Sequence, residues 1–364
     1  MPKDKISMRQ LLALLFAALL SPAVRVLPAR TGGIAGRSGW LTALAALPVL
    51  LALCWALFAL LGRTEGGLQQ AFERVLGRTA GRVLAGVYLV WGILLLCANG
   101  RLFGLRFLST SYRNAPLPLF IAALMALALW LARGETAVLA RAGQVFYLAL
   151  ALGLGAVLLL GAFRVEPKNV LPVWVEDVPG ILEGTLPVLA VLGYGIYGAF
   201  LAGSVVRRAD DRRRTMKWAA AFCLVLTALQ WVCLGSFGPN LAGRMESPFF
   251  MMVKGVGIEG AFERVESILI ALWVFADLTM LALLLTACCR LAADIFPSLG
   301  EAKRAAVPLT ILGLAGALWL FPEMFSLAVW MERVAAPGNL ILGFAVPAGV
   351  LLAAKLREKR PRES

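Results

Sequence analysis

The sequence predicts an all-α integral membrane protein, a single polytopic domain over residues 1–364 with about ten transmembrane helices in a five-plus-five inverted repeat. Three observations predict it. Of the 364 residues, 60% are hydrophobic, where soluble globular proteins run at about 45–50% apolar, and the mean hydropathy is +0.83. Apolar runs of roughly 17–25 residues recur from end to end, each long enough to cross a hydrocarbon core of about 30 Å. Two of these runs are interrupted by helix-weakening residues at corresponding positions in the two halves, the pattern of transporters built on inverted repeats.

The spans fall at about 8–29, 39–61, 83–108, 116–132, 138–163, 181–203, 216–238, 266–290, 304–322 and 335–356, giving repeats of approximately 8–163 and 181–356. The first apolar run, 8–28, has a charged flank but no small-x-small cleavage site leading into a soluble region, so it reads as a span rather than a leader. An even number of spans puts both termini on one side. Placing them in the cytoplasm gives the inner segments roughly 23 of the 35 Lys and Arg residues and the outer ones about 10, the bias that cytoplasmic loops carry. The loop 205–217 (VVRRADDRRRTMK) is the clearest cue. The segment 68–83 (LQQAFERVLGRTAGRV) is amphipathic and basic, as a cytoplasmic interfacial helix would be. The outer loop 240–265 contains SPFFMMVKG and reads either as a lid over the outer mouth or as a connector.

The first interruption is ALLSPAVRVLP at 18–28, with Ser21 and Pro22 near its middle. The second is GYGIYG at 193–198, with Gly193, Gly195 and Gly198 between Tyr194 and Tyr197. Glycine inside a helix costs about 1 kcal/mol relative to alanine, and unwound backbone survives at membrane depth only where it faces protein or a wet cavity. Close helix packing by small residues is the competing explanation for the glycines. Polar residues at membrane depth single out two more spans. Asp277 lies near the centre of the eighth, where a carboxylate costs roughly 2.5–3.5 kcal/mol and needs a partner. Glu266, Ile270, Trp273 and Asp277 share one helix face. The third span, equivalent to the eighth, carries Asn99 and Arg101, and Arg25 follows the first break. Arg101 and Asp277 form either a ligand site or a structural ion pair; both readings are open. Arg106 is expected to snorkel to the surface, Gln230 to hydrogen-bond a neighbouring helix, and Glu183 and Glu323 to be solvated.

Several function classes are excluded. There is no histidine, which removes His-based relays, His-metal sites and Ser–His catalysis. The six cysteines lie in apolar spans without a Cys-x-x-Cys pair and read as small buried hydrophobes. The net charge of +14 collects beside spans as topology requires, so no nucleic acid is implied. Nor are a catalytic constellation, a metal or a cofactor implied.

The chain resembles the spore-germination permease family, the B subunit of GerA-type germinant receptors. The resemblance is carried by the opening KISMRQLLALLFAALLSPAV, by SGWLTALAALPVLLAL entering the second span, by LGRTAGRVLAGVYLVW approaching the third, and by SPFF…GAFERVESILIALWVFADLTML into the eighth. It covers nearly the whole chain. The family is similar to the amino acid–polyamine–organocation (APC) transporters, whose LeuT-like fold surrounds a central small-molecule site with helices 1, 3, 6 and 8 and breaks the first and sixth. The resemblance therefore implies a germinant such as an L-amino acid and action in the inner membrane of the bacterial spore. It also implies partnership with an A-type membrane subunit and a C-type lipoprotein. One departure stands out: Ser21-Pro22-Ala23 replaces the Gly-rich first break.

On this reading the candidate ligand-binding residues are Ser21, Ala23, Arg25, Asn99, Arg101, Gly193, Tyr194, Gly195, Tyr197, Trp273 and Asp277. The ligand carboxylate would meet amides near Ala23 or a guanidinium of Arg25 or Arg101, and its ammonium would meet Asp277. A proton- or sodium-coupled amino acid transporter and a pore-forming or scaffold component are the alternatives.

Overall fold

The computed structural model describes residues 4–110, 116–255, 265–321 and 323–359. Each of the ten expected spans falls on helical segments, the sixth and the last on several in succession. Among the described residues, seven segments are long and apolar enough to cross a membrane by length and composition, with Met8–Leu61 counting as one of them. After a two-residue strand β1 (Ile6–Ser7) come α1 (Met8–Ala35), α2 (Thr42–Leu61), a short α3 (Leu68–Leu76), α4 (Arg78–Thr110), α5 (Leu117–Arg133) and α6 (Thr136–Ala162). The second half holds α7 (Val178–Leu192), α8 (Ile196–Phe200), strand β2 (Val205–Val206), α9 (Asp211–Phe237), two short helices α10 (Pro239–Ala242) and α11 (Pro248–Gly255), α12 (Val265–Ile295) and α13 (Ala302–Trp319). The last span is built from α14 (Met324–Trp330), α15 (Ala336–Leu340) and α16 (Val346–Lys359), joined by wide π-helical turns at Met331–Ala335 and Ile341–Ala345.

Two helices form the centre. α1 packs against α6, α7, α9 and α12, and α12 packs against α1, α4, α5, α6 and α13. α1 starts at a capping box: Ser7 Oγ accepts the Gln10 N–H at 3.3 Å while Gln10 Oε1 accepts the Ser7 N–H at 2.8 Å, which satisfies two orphan donors. The expected break in the first span is not there; α1 runs through Pro22 and Pro28 as one helix. Each proline removes a donor, freeing the carbonyls of Ala18 and Val24. Residues 17–24 are buried on every side, so neighbouring helices hold the segment helical where an isolated one would bend. The sixth span is interrupted, but by tightening: Gly193–Gly195 form a 3₁₀ turn between α7 and α8.

The two short strands and one arginine tie the start of the chain to the rest. β1 pairs in parallel with β2, Ile6 opposite Val205. Asp4 Oδ1 accepts the Thr136 N–H at 2.7 Å at the start of α6. Arg290, near the end of α12, reaches Ser204 Oγ at 2.7 Å, Asp4 Oδ2 at 3.5 Å and Thr136 Oγ1. This latch closes the end of the bundle away from α11. Arg290→Ala leaves those acceptors without a donor and is expected to cost about 1–3 kcal/mol, read as a lower thermal unfolding temperature together with faster proteolysis of the N-terminal segment.

Two expected surface features pack on the protein. α3 is amphipathic as expected, yet its apolar face meets the bundle rather than lipid: Phe72 stacks on Tyr88 at 5.7 Å between centroids and touches Phe200 at 6.4 Å. In the outer loop, α11 buries Phe249, Phe250, Met252 and Val253 against α1, α6, α9 and α12, so this part is a lid; positions 256–264 lie outside the described residues. Gln230 accepts a hydrogen bond from Thr42 at 3.3 Å, tying α9 to α2 as expected.

Candidate functional site

The polar residues at membrane depth converge where α1, α4, the 3₁₀ turn and α12 meet. Ser21 Oγ donates to Asp277 Oδ1, joining α1 to α12. Asp277 Oδ2 takes Nη1 of Arg106 at 3.0 Å, joining α12 to α4. Asp277 is only 6% exposed, and a carboxylate held this way meets the requirement that a buried charge be paired and hydrogen-bonded. Both of its oxygens are engaged by the protein.

The ion pair corrects the sequence reading on two points: the partner of Asp277 is Arg106 rather than Arg101, and Arg106 does not snorkel outward. The reason is helical geometry. Asn99 and Arg106 are seven residues apart and share a face at 100° per residue, whereas Arg101, two residues from Asn99, points roughly the opposite way. Arg101 is buried but on the other flank of α4. Arg106 also lies 5.2 Å above the Phe250 ring of the lid, a cation–π contact that links the charged cluster to α11.

Around this core, Asn99 Nδ2 donates to Leu95 O at 2.8 Å and to Tyr194 Oη at 3.2 Å. The 3₁₀ turn thus presents Tyr194 to α4. Tyr197 is one turn further on and faces elsewhere: its hydroxyl donates to Tyr88 O at 3.1 Å inside the aromatic cluster of Phe72, Tyr88 and Phe200. Ala23 is buried within unbroken α1, so its amide belongs to the helix and does not form an exposed half-helix terminus. Trp273 is buried beneath the lid, its ring 4.7 Å from that of Phe249 and 5.7 Å from that of Phe250. The side chains of Glu266 and Ile270, expected on the same face, lie outside the described residues.

The glycines divide between two roles. A Cβ on Gly193 would come 2.5 Å from the Asn339 carbonyl oxygen, and one on Gly343 would come 2.7 Å from Gly193 Cα. Gly193 is therefore demanded by close packing against the last span. Gly195 has only Leu19 near, at 3.8 Å, and opens onto an apolar cavity of about 100 Å³ between α1, α2 and α9 on the latch side. Sequence reasoning missed Asn339. Its Nδ2 donates to Ala190 O at 3.1 Å and its Oδ1 accepts from Trp91 Nε1 at 3.0 Å, so it pins the residues just before the 3₁₀ turn to α4 and α15. The available signal was one amide within an apolar span, beside Pro337 and Gly338; the structure adds that it lies between two π-helical turns, which recur at functional sites.

The class of protein follows from this arrangement: a helical membrane protein of transporter type, with a buried charged cluster at the crossing of its two central helices and an interrupted helix beside it. Comparison with solved structures agrees. The chain superposes on MhsT in complex with L-phenylalanine with a TM-score of 0.67 and 15% identity, covering 98% of this chain and 93% of that one. It superposes on a substrate-bound, outward-open Na+-coupled sialic acid symporter with a TM-score of 0.64 and 13% identity, covering 94% and 80%. The fold is that of the LeuT-like transporters. A family profile described as "Spore germination protein" matches residues 5–320, and the chain belongs to that family. Spore germination protein KB of Bacillus subtilis (strain 168) is 21% identical over 271 residues, 73% of this chain and 72% of that protein.

Proposed function

We propose that this protein is the membrane-embedded sensing subunit of a germinant receptor, binding a small molecule such as an L-amino acid between α1, α4, the 3₁₀ turn and α12. The observation that carries the reading is the Ser21–Asp277–Arg106 network, a charged cluster in the middle of an otherwise apolar bundle. Ionisable groups at that depth mark ligand or ion pathways by default, and the family membership supplies the germination context. A protein of this fold is solved with L-phenylalanine bound, which supports an amino-acid-sized ligand. Arg25, Asn99, Tyr194 and Trp273 stand around the network; Ser21 and Ala23 lie on unbroken α1, Gly193, Gly195 and Tyr197 belong to the interrupted sixth span, and Arg101 lies on the opposite flank of α4. The receptor would act in the inner membrane of the spore with both termini on the core side, alongside an A-type membrane subunit and a C-type lipoprotein. Its five-plus-five division would follow residues 8–163 and 181–356.

The test is thermal unfolding of the purified chain in lipid nanodiscs against each of the twenty L-amino acids. At least one is expected to raise the unfolding temperature, and the shift should be smaller in Asp277→Asn. If no amino acid shifts it, the sensing reading falls. Uptake of a labelled amino acid by the chain alone in liposomes would instead establish a coupled transporter.

A further inference from the structure

Two buried donors on the lid side of the network have no acceptor: Nη2 of Arg25 and Nε1 of Trp273. Both atoms can only donate, and buried polar groups are almost always hydrogen-bonded. The two stand on facing helices. Asp4 meets Arg290 and Ser21 meets Asp277, so α1 and α12 run antiparallel. Arg25 is one turn beyond Ser21, and Trp273 is one turn before Asp277, each on the face of its neighbour. The two donors therefore lie at one level, a turn closer to the lid than the Ser21–Asp277 bond, with Trp273 packed against Phe249 and Phe250.

Among the described residues, no acid fills this level. Asp277 already engages both oxygens. Glu246, a second described carboxylate within electrostatic range of Arg25, accepts nothing from Nη2. What the level lacks is an acceptor with negative charge. An added ammonium would meet two guanidinium groups, Arg25 and Arg106, and a carboxylate that is already paired. The carbonyls freed by Pro22 and Pro28 accept a hydroxyl as readily as an N–H.

Resting on the ligand site argued above, we propose that its ligand is recognised as a carboxylic acid. Arg25 and Trp273 hold the carboxylate, and no ammonium is required, so a 2-hydroxy acid binds as well as the amino acid with the same side chain.

The experiment uses the full chain in nanodiscs and matched probes for the alanine, valine, leucine and phenylalanine side chains: the L-amino acid, the L-2-hydroxy acid and the amine lacking the carboxyl group. The expected result is that hydroxy acid and amino acid bind within about threefold of each other, and that the amine binds about 10–100-fold more weakly for want of its charge-assisted bonds. Arg25→Gln is expected to remove that difference. It should also raise the unfolding temperature of the ligand-free protein, because it deletes a partly buried charge whose buried Nη2 has no hydrogen-bond partner. Arg25→Lys, which keeps the charge, should retain partial binding. Amino acids and amines that bind while hydroxy acids do not would overturn the carboxylic-acid rule and leave the ligand site standing. If none of the probes binds, the site and the rule fall together. A lower unfolding temperature in ligand-free Arg25→Gln would show that Arg25 is structural and overturn its role here.

Discussion

Asp277→Ala is expected to be among the most destabilising single substitutions in this protein, at about 3–5 kcal/mol, the usual cost of removing one partner from a buried ion pair. The acid is the hub of three helices: Ser21 on α1 donates to one oxygen and Arg106 on α4 to the other. Its loss leaves a guanidinium facing α12 without the carboxylate, at a depth where water is scarce. The size of the effect separates charge from shape. Asp277→Asn keeps the volume and one acceptor and should cost less. The double variant Asp277→Leu/Arg106→Met, which removes both charges, should recover much of the loss, because apolar replacement of a whole buried pair is often neutral or better. Unfolding by heat in nanodiscs gives the comparison directly. A double variant no more stable than Asp277→Ala would mean that the ion pair is not what joins these helices.

Gly193→Ala and Gly343→Ala come next. The two glycines face each other where the 3₁₀ turn crosses the last span, and both obstructing groups are backbone: the Asn339 carbonyl oxygen, 2.5 Å from a Cβ on Gly193, and Gly193 Cα itself, 2.7 Å from a Cβ on Gly343. A flexible side chain could swing aside; these groups cannot. The cost belongs at the upper end of the roughly 1–3 kcal/mol seen for overpacked sites. The two should be less than additive, since the first substitution already separates the helices. Gly195→Ala is the internal control. Its added methyl meets only Leu19 at 3.8 Å, and it replaces glycine in a turn with helical dihedrals, so it should be neutral or stabilising. Equal losses at all three positions would refute the packing account.

Much of the protein was legible in the sequence. Every span was placed by the length of its apolar run, because hydrocarbon thickness sets that length whatever the neighbours are. The four helices that carry the polar cluster were also visible, since a carboxylate such as Asp277 or an amide such as Asn99 in an apolar run is conspicuous by its cost. The i, i+7 spacing of Asn99 and Arg106 held the correct ion pair as well. It was overlooked because Arg106 lies near the end of its span, where snorkelling is the ordinary outcome.

Other features were decided by tertiary structure. Ser21-Pro22 reads as a break because proline removes a hydrogen bond locally, yet α1 stays helical because α6, α7, α9 and α12 surround it. GYGIYG reads either as an unwound site whose tyrosines face a ligand or as close helix packing by its glycines. The structure divides it: Gly193 is a packing contact, Tyr194 belongs to the polar cluster, and Tyr197 belongs to the aromatic core. Asn339 acquires its role only when the last span lies against the 3₁₀ turn. The distinction has one physical cause. Burial depth and helix period are properties of consecutive residues and are written along the chain. Whether a buried polar atom is already satisfied depends on partners about 100 to 260 residues away, as with Asn99 and Tyr194 or Ser21 and Asp277, and hydrogen-bond geometry between such partners exists only once the helices are packed.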